Sequence, residues 1–146
     1  MPRLSQRLGA EGDQQAVGAL YRVGVEQVEK IGTPVKIVAV SPDLTHRGIY
    51  QVIFGEKVIG DYRGVAPGGI SVIAEVKSAF GRNLHWSDLL PHQPPGLDRH
   101  DELGGISLLV WVTDNGVHVL RWPVKGFGPG KGLTPEAADK MSIRSL

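Results

Sequence analysis

The stretch from Asp61 to Lys77, reading DYRGVAPGGISVIAEVK, constrains the fold more than any other part of the chain. Ile70 to Ala74 is an apolar run with β-branched residues, which favours a strand buried on both sides. It ends in Glu75-Val76-Lys77. Side chains alternate along a strand, so Glu75 and Lys77 project together while Val76 points the other way. The preceding Ala66-Pro67-Gly68-Gly69 is a turn signal, and it can fold the Asp61 segment back beside the strand. Two carboxylates and an ammonium would then meet at one sheet surface.

The rest of the chain reads as elements around that strand. Val17, Leu20, Tyr21, Gly24, Val28 and Ile31 keep helical spacing, predicting a helix over 16–31 that starts as early as Ser5 or Asp13. Gly32-Thr33-Pro34 would stop it. Val35 to Val40 and Gly48 to Phe54 read as two strands of a hairpin able to protrude through Tyr50, Ile53 and Phe54. Ser87 is a candidate cap for the segment after Trp86. Pro94-Pro95 suit the first turn of a helix running to about Leu103, with His92 and Gln93 at its N-terminus. Ile106 to Val112 is a buried strand, and Asp114-Asn115-Gly116 signals a hairpin to Val117–Trp122. A flexible Gly/Pro-rich loop then runs to Gly132, opening a C-terminal tail over 123–146. Thr134-Pro135 begins a short helix within it. The predicted class is α/β, a mixed sheet flanked by helices.

Composition excludes more than it identifies. At 146 residues the chain is one domain with room for a real core. It has no cysteine, which rules out disulfides and thiolate metal sites. A formal charge of +1 says nothing about a local basic face. No apolar run is long enough to span a bilayer, and Met1 to Arg7 lacks a secretory core, so an intracellular, cytoplasmic protein is expected.

Asp61, Glu75 and Lys77 suit phosphodiester hydrolysis. That reaction needs an activated water and neutralisation of charge at the phosphate, which a hard cation on one or two carboxylates supplies. A lysine on the same face can orient the water or offset the charge. Alone, x-E-x-K describes any polar strand end with a surface ion pair; the upstream acid, the glycine turn and the buried strand make the nuclease reading competitive. Other chemistry fares worse. His85, His92 and His100 are irregularly spaced for zinc. Ser78 lacks the glycines of a nucleophile elbow. Gly126 to Gly132 fails the phosphate-loop pattern, since Lys125 stands where glycine is needed and Gly132 where Ser/Thr is needed.

Several motifs in order carry a family resemblance. They are Asp61-Tyr62-x-Gly64-Val65, Glu75-Val76-Lys77, His92-Gln93, and Gly104-Gly105-Ile106 before an apolar strand, with Thr33-Pro34-Val35-Lys36-Ile37-Val38 upstream. This set resembles the RecU-type Holliday junction resolvases of the PD-(D/E)XK nuclease superfamily, over roughly residues 7 to 112. Its short ends resemble the compact phage-encoded versions.

The resemblance implies a restriction-endonuclease-like mixed sheet with a projecting stalk at about 43–60. It implies a homodimeric, Mg²⁺-dependent endonuclease that cuts four-way DNA junctions, with Mn²⁺ an expected substitute and recombination proteins as possible partners. Asp61 and Glu75 would be metal ligands, with the Val76 carbonyl as a third. Lys77 and Gln93 would position the attacking water. Glu11 is the nearest match for the first-helix glutamate that supports a second metal, with Asp13 and Gln14 as alternatives. Arg47, Lys57, Arg63 and Arg82, with Lys131, are the candidate phosphate contacts. The competing functions are a nuclease of the same superfamily acting on linear or flap DNA, and a non-catalytic DNA-binding recombination accessory protein.

Overall fold

The structure, a computed structural model, describes residues 4–32, 35–40, 50–54 and 59–146, with side chains placed over 11–32 and 59–146. Helix α1 covers Leu4–Arg22 and stops short of the expected Ile31. Gly24 adopts φ 101°, a left-handed conformation that costs glycine little. There the Gly24 N–H donates to the Tyr21 carbonyl and the Val25 N–H to that of Leu20, which closes the helix end. The next residues form strand β1 (Glu26–Lys30). A bulge between Glu26 and Glu29, with Gln27 at φ 53°, breaks the two-residue alternation and mimics helical spacing.

Strands β2 (Val35–Val40) and β3 (Tyr50–Phe54) pair antiparallel in a two-stranded sheet of their own, as the hairpin reading expected. Much of the expected stalk, including Arg47 and Lys57, lies outside the described residues. Strands β4 (Tyr62–Ala66) and β5 (Ile70–Ser78) form the hairpin around the glycine turn, with Tyr62 opposite Ala74. Then come β6 (Leu84–His85), a 3₁₀ turn (Trp86–Asp88), α2 (Gln93–Glu102), β7 (Ile106–Thr113) and β8 (Gly116–Arg121). The main sheet has the order β1-β4-β5-β7-β8, and only β5 and β7 are parallel. Helix α2 makes that crossover. The arrangement is the expected mixed α/β, restriction-endonuclease-like architecture.

Strand β5 is covered on both sides. Val72 and Ala74 face α1 residues Ala16, Ala19 and Leu20, together with Leu108 and Val110. Ile73 faces the other core, built on Leu97, Leu109, Trp111 and Leu120. Glu75 and Lys77 share the Ile73 face by alternation, so their charged groups emerge on the α2 side. Gly64 of the D-Y-x-G-V motif serves packing here. A Cβ at that position would lie 2.5 Å from Val25 Cγ1 and 2.8 Å from the Glu26 carbonyl oxygen. The backbone of β1 cannot yield, so Gly64→Ala is expected to destabilise the protein by about 1–3 kcal/mol, read as a lower urea midpoint.

One expectation needs correcting. Ser87 does not cap the turn after β6; Asp88 Oδ2 does, accepting the His85 N–H at 2.8 Å. The segment after Pro123 keeps an irregular loop up to β9, and both of its ends are anchored. Val124, Leu133 and Ala138 are buried in the α2-side core, because that sheet face needs apolar cover. Strand β9 (Gly132–Leu133) pairs with β6, and α3 (Pro135–Met141) starts at Thr134, whose Oγ1 accepts the Ala137 N–H. Beyond α3, the Ile143 N–H donates to the Val119 carbonyl on β8 at 2.8 Å. Among the described residues no helix is long and apolar enough to cross a membrane.

Candidate active site

Strand β4 begins at Tyr62 opposite Ala74, so among the described residues β5 has no strand partner on that side beyond Ala74. Asp61 continues the ladder with its side chain. Its N–H donates to the Ala74 carbonyl, and its Oδ2 accepts the Val76 N–H, both at 2.8 Å. In a strand the N–H and C=O of one residue face the same neighbour, so the Val76 carbonyl also opens toward Asp61. Asp61 and the Val76 carbonyl, two of the oxygen groups that the resemblance singled out, therefore lie together at the start of β4.

Glu75 is 2 % exposed, and Lys77 Nζ lies 3.5 Å from its Oε1. Gln93 approaches the same oxygen from α2, its Nε2 donating to Glu75 Oε1 at 2.5 Å. The Leu90 N–H donates to Gln93 Oε1 at 2.7 Å, which fixes which end of the amide faces the carboxylate. Pro94 and Pro95 cost the helix nothing, because first-turn N–H groups have no intrahelical partner. Glu75 nonetheless remains an awkward charge. Burial, and then the negative charge of Asp61, push its pKa up to about 7, against the opposing pull of Lys77. Two carboxylates held this way favour a shared positive charge.

Glu11 is not part of this group. It lies on α1 beside Gln15, Phe80, Thr113 and Asp114, lining a different depression. Among the described residues no three acidic or histidine side chains are placed to hold one metal ion. Asp13, close by on α1, is engaged with Lys30 at 3.1 Å and lies near the Tyr62 hydroxyl. Burial and that carboxylate push the Tyr62 pKa up to about 12. Alternation along an element is visible in a sequence, but the helix face turned toward a given strand end depends on how the helix crosses the sheet.

The described arginine candidates are already paired. Arg82 forks onto Asp88 at 2.8 and 3.0 Å, and Arg63 reaches Glu29 at 3.0 Å. Such exposed pairs are weak enough to exchange a carboxylate for a phosphate. Lys131 is exposed and pairs with no carboxylate among the described residues. His100 is structural: its Nδ1 lies 3.2 Å from Ser107 Oγ and its Nε2 3.1 Å from Ser71 Oγ. Ser107 already donates to the Leu97 carbonyl, so Nδ1 must be the donor and Nε2 the acceptor. The sequence reading missed the Leu90 backbone that aims Gln93; His92, which it placed at the start of this helix, has its Nδ1 buried without a partner among the described residues.

Gln93 contacts the cluster through Glu75. Replacing it with leucine frees the Glu75 carboxylate to rotate and leaves the Leu90 N–H without its acceptor. If the cluster carries the DNA cleavage that the resemblance implies, Gln93→Leu should slow it about 10–100-fold in a single-turnover assay.

The chain matches the model of the RecU family, described as recombination protein U, over residues 19–123. No curated protein matches the chain. The matched span includes Asp61, Glu75, Val76, Lys77 and Gln93, while Glu11 precedes it. A match that covers most of the chain and the whole gathered cluster places this protein in the RecU family of recombination proteins.

Proposed function

We propose that the protein is a divalent-metal-dependent endonuclease that resolves four-way DNA junctions. The observation that carries this is the convergence of Asp61, Glu75, the Val76 carbonyl, Lys77 and Gln93 at the open end of β4. Family membership supplies the recombination context.

The donors fit a hard cation. Asp61 keeps Oδ1 clear of the Val76 bond, Glu75 contributes carboxylate oxygens, and Val76 offers a carbonyl; all are oxygens, as Mg²⁺ or Mn²⁺ prefers. Mg²⁺ commonly uses only one or two carboxylates and keeps several waters, so a third acidic side chain is not required. When bound, the cation would neutralise charge at the scissile phosphate and make a coordinated water more acidic. Asp61 is held in register by two backbone contacts of β5. Gln93 locks Glu75 in one orientation. Lys77 spends one N–H direction on Glu75 and has two others for a water or a phosphate oxygen.

Symmetric cuts in two strands need two such sites, so the active form is a two-fold dimer. Arg63, Arg82 and Lys131 are assigned to the phosphate path. The test compares a four-way junction with linear duplex of identical sequence, each with and without Mg²⁺. Paired, symmetric cuts in the junction alone, and only with the cation, are the expected result. Equal cutting of both substrates would overturn the junction reading, and cutting in EDTA would overturn the metal.

A further inference from the structure

Beside Gln93 lies an apolar cavity of about 400 Å³. Its walls include Leu90, Pro94, Trp86, Trp122 and Phe127, and its polar group is Asp98. Trp86 stacks on Trp122 with ring centres 5.8 Å apart, and Phe127 meets Trp86 edge-on at 5.2 Å. Trp122 Nε1 donates to Asp98 Oδ1 at 2.7 Å, which leaves Asp98 Oδ2 without a donor among the described residues. Trp86 is also a wall of a second cavity of about 550 Å³, lined by Asn83, His85, Ser87 and Lys131. The Trp86 N–H donates to the Lys131 carbonyl at 3.0 Å, tying the two walls together.

We propose that the aromatic cavity takes one unpaired nucleobase of the branched DNA, and that the adjoining polar cavity takes a neighbouring phosphate of the same strand. The proposal rests on the junction-nuclease reading and adds a substrate contact to it. Flat aromatic and proline walls suit a planar base, and stacking of this kind tolerates any sequence. The lone carboxylate oxygen suits the exocyclic amino group of cytosine, adenine or guanine, which thymine lacks. Lysine, amide and hydroxyl groups one ring away suit the backbone anion. The position fits as well. Leu90 and Pro94, which line the cavity, stand on either side of Gln93 in the chain, and Gln93 touches Glu75, so the cavity adjoins the cluster. At a branch point the helix stack is interrupted, so extruding a base costs least there. The other occupant such a cavity could take is an apolar side chain from a second copy, and the test separates the two.

Junction binding in EDTA is measured by fluorescence anisotropy for wild type, Trp86→Ala, Trp86→Phe and Leu90→Trp. Each meets an intact junction and one with abasic sites at the branch nucleotides. Trp86→Ala should weaken binding to the intact junction about tenfold, Trp86→Phe should restore most of it, and Leu90→Trp, from the exposed rim, should block entry and weaken it likewise. The abasic junction should cost wild type a similar factor and Trp86→Ala nothing further. If Trp86→Ala unfolds by circular dichroism, Leu90→Trp carries the test. Unchanged binding by the folded variants, or losses that add to the abasic loss, would overturn the cavity while leaving the junction reading intact. A binding loss that tracks dissociation of a dimer in sedimentation would assign the cavity to self-association and overturn it too. If wild type binds junction and duplex equally, the junction reading falls. Quenching of tryptophan fluorescence by a short single-stranded oligonucleotide then decides the cavity: saturable quenching lost in Trp86→Ala supports it, and none overturns it.

Discussion

Glu75→Gln is expected to lower junction cleavage by about 10³-fold or more while leaving junction binding within a few-fold of wild type. The substitution keeps the shape and the bond from Gln93 but removes the charge. Glu75 is buried beside Lys77 and Asp61, so glutamine introduces no cavity and any loss is electrostatic. Glu75→Ala would confound that loss with an empty space in the α2-side core. Single-turnover cleavage and anisotropy on the same junction separate the two effects. A Glu75→Gln protein that cuts at the wild-type rate would remove Glu75 from the site altogether.

The same carboxyl should make stability depend on pH in the opposite sense to a salt-bridged acid. Its pKa rises from an ordinary value of 4.5 to about 7 in the folded chain. Between those values the unfolded chain has released a proton that the folded chain still holds. Stability is therefore fullest below about pH 4.5 and declines as pH rises through 7, with no further loss above it. A shift of this size corresponds to a loss on the order of 3 kcal/mol from this group. Urea midpoints in EDTA should fall across that window in wild type, and Glu75→Gln should flatten the fall. The variant would then be more stable than wild type at pH 8 and inactive, a conflict between a functional charge and a comfortable core. Mg²⁺ should raise the wild-type midpoint at pH 8 and do little at pH 5, where a proton occupies Glu75. A midpoint indifferent to both pH and Mg²⁺ would contradict the arrangement of the two carboxylates.

Local features of the site are readable in the sequence because they depend on near neighbours. The facing of Glu75 and Lys77 comes from strand alternation, and the return of Asp61 comes from Pro67-Gly68-Gly69. The start of α2 at Gln93 comes from two prolines that only a first turn accepts. The pattern over 16–31 misleads in its second half because Gly24, Val28 and Ile31 fall on helical spacing across a bulge. A bulge is chosen by the partner strand, and β4 lies more than thirty residues away. Gly64 belongs with that partner. Its lack of a Cβ matters only because β1 arrives beside it.

By itself, the sequence determined the buried strand, its polar end, the turn that supplies a second carboxylate, and the kind of chemistry those groups can perform. Tertiary structure alone decided which distant groups join them. The crossover brings Gln93 to Glu75, α1 carries Glu11 to a different depression, and Trp86 of the 3₁₀ turn meets Trp122 and Phe127 of the loop after β8 at one cavity. The reason is range. Alternation, turns and caps are set by backbone geometry over a few residues, whereas the crossing of a helix over a sheet is set by how two cores pack at once.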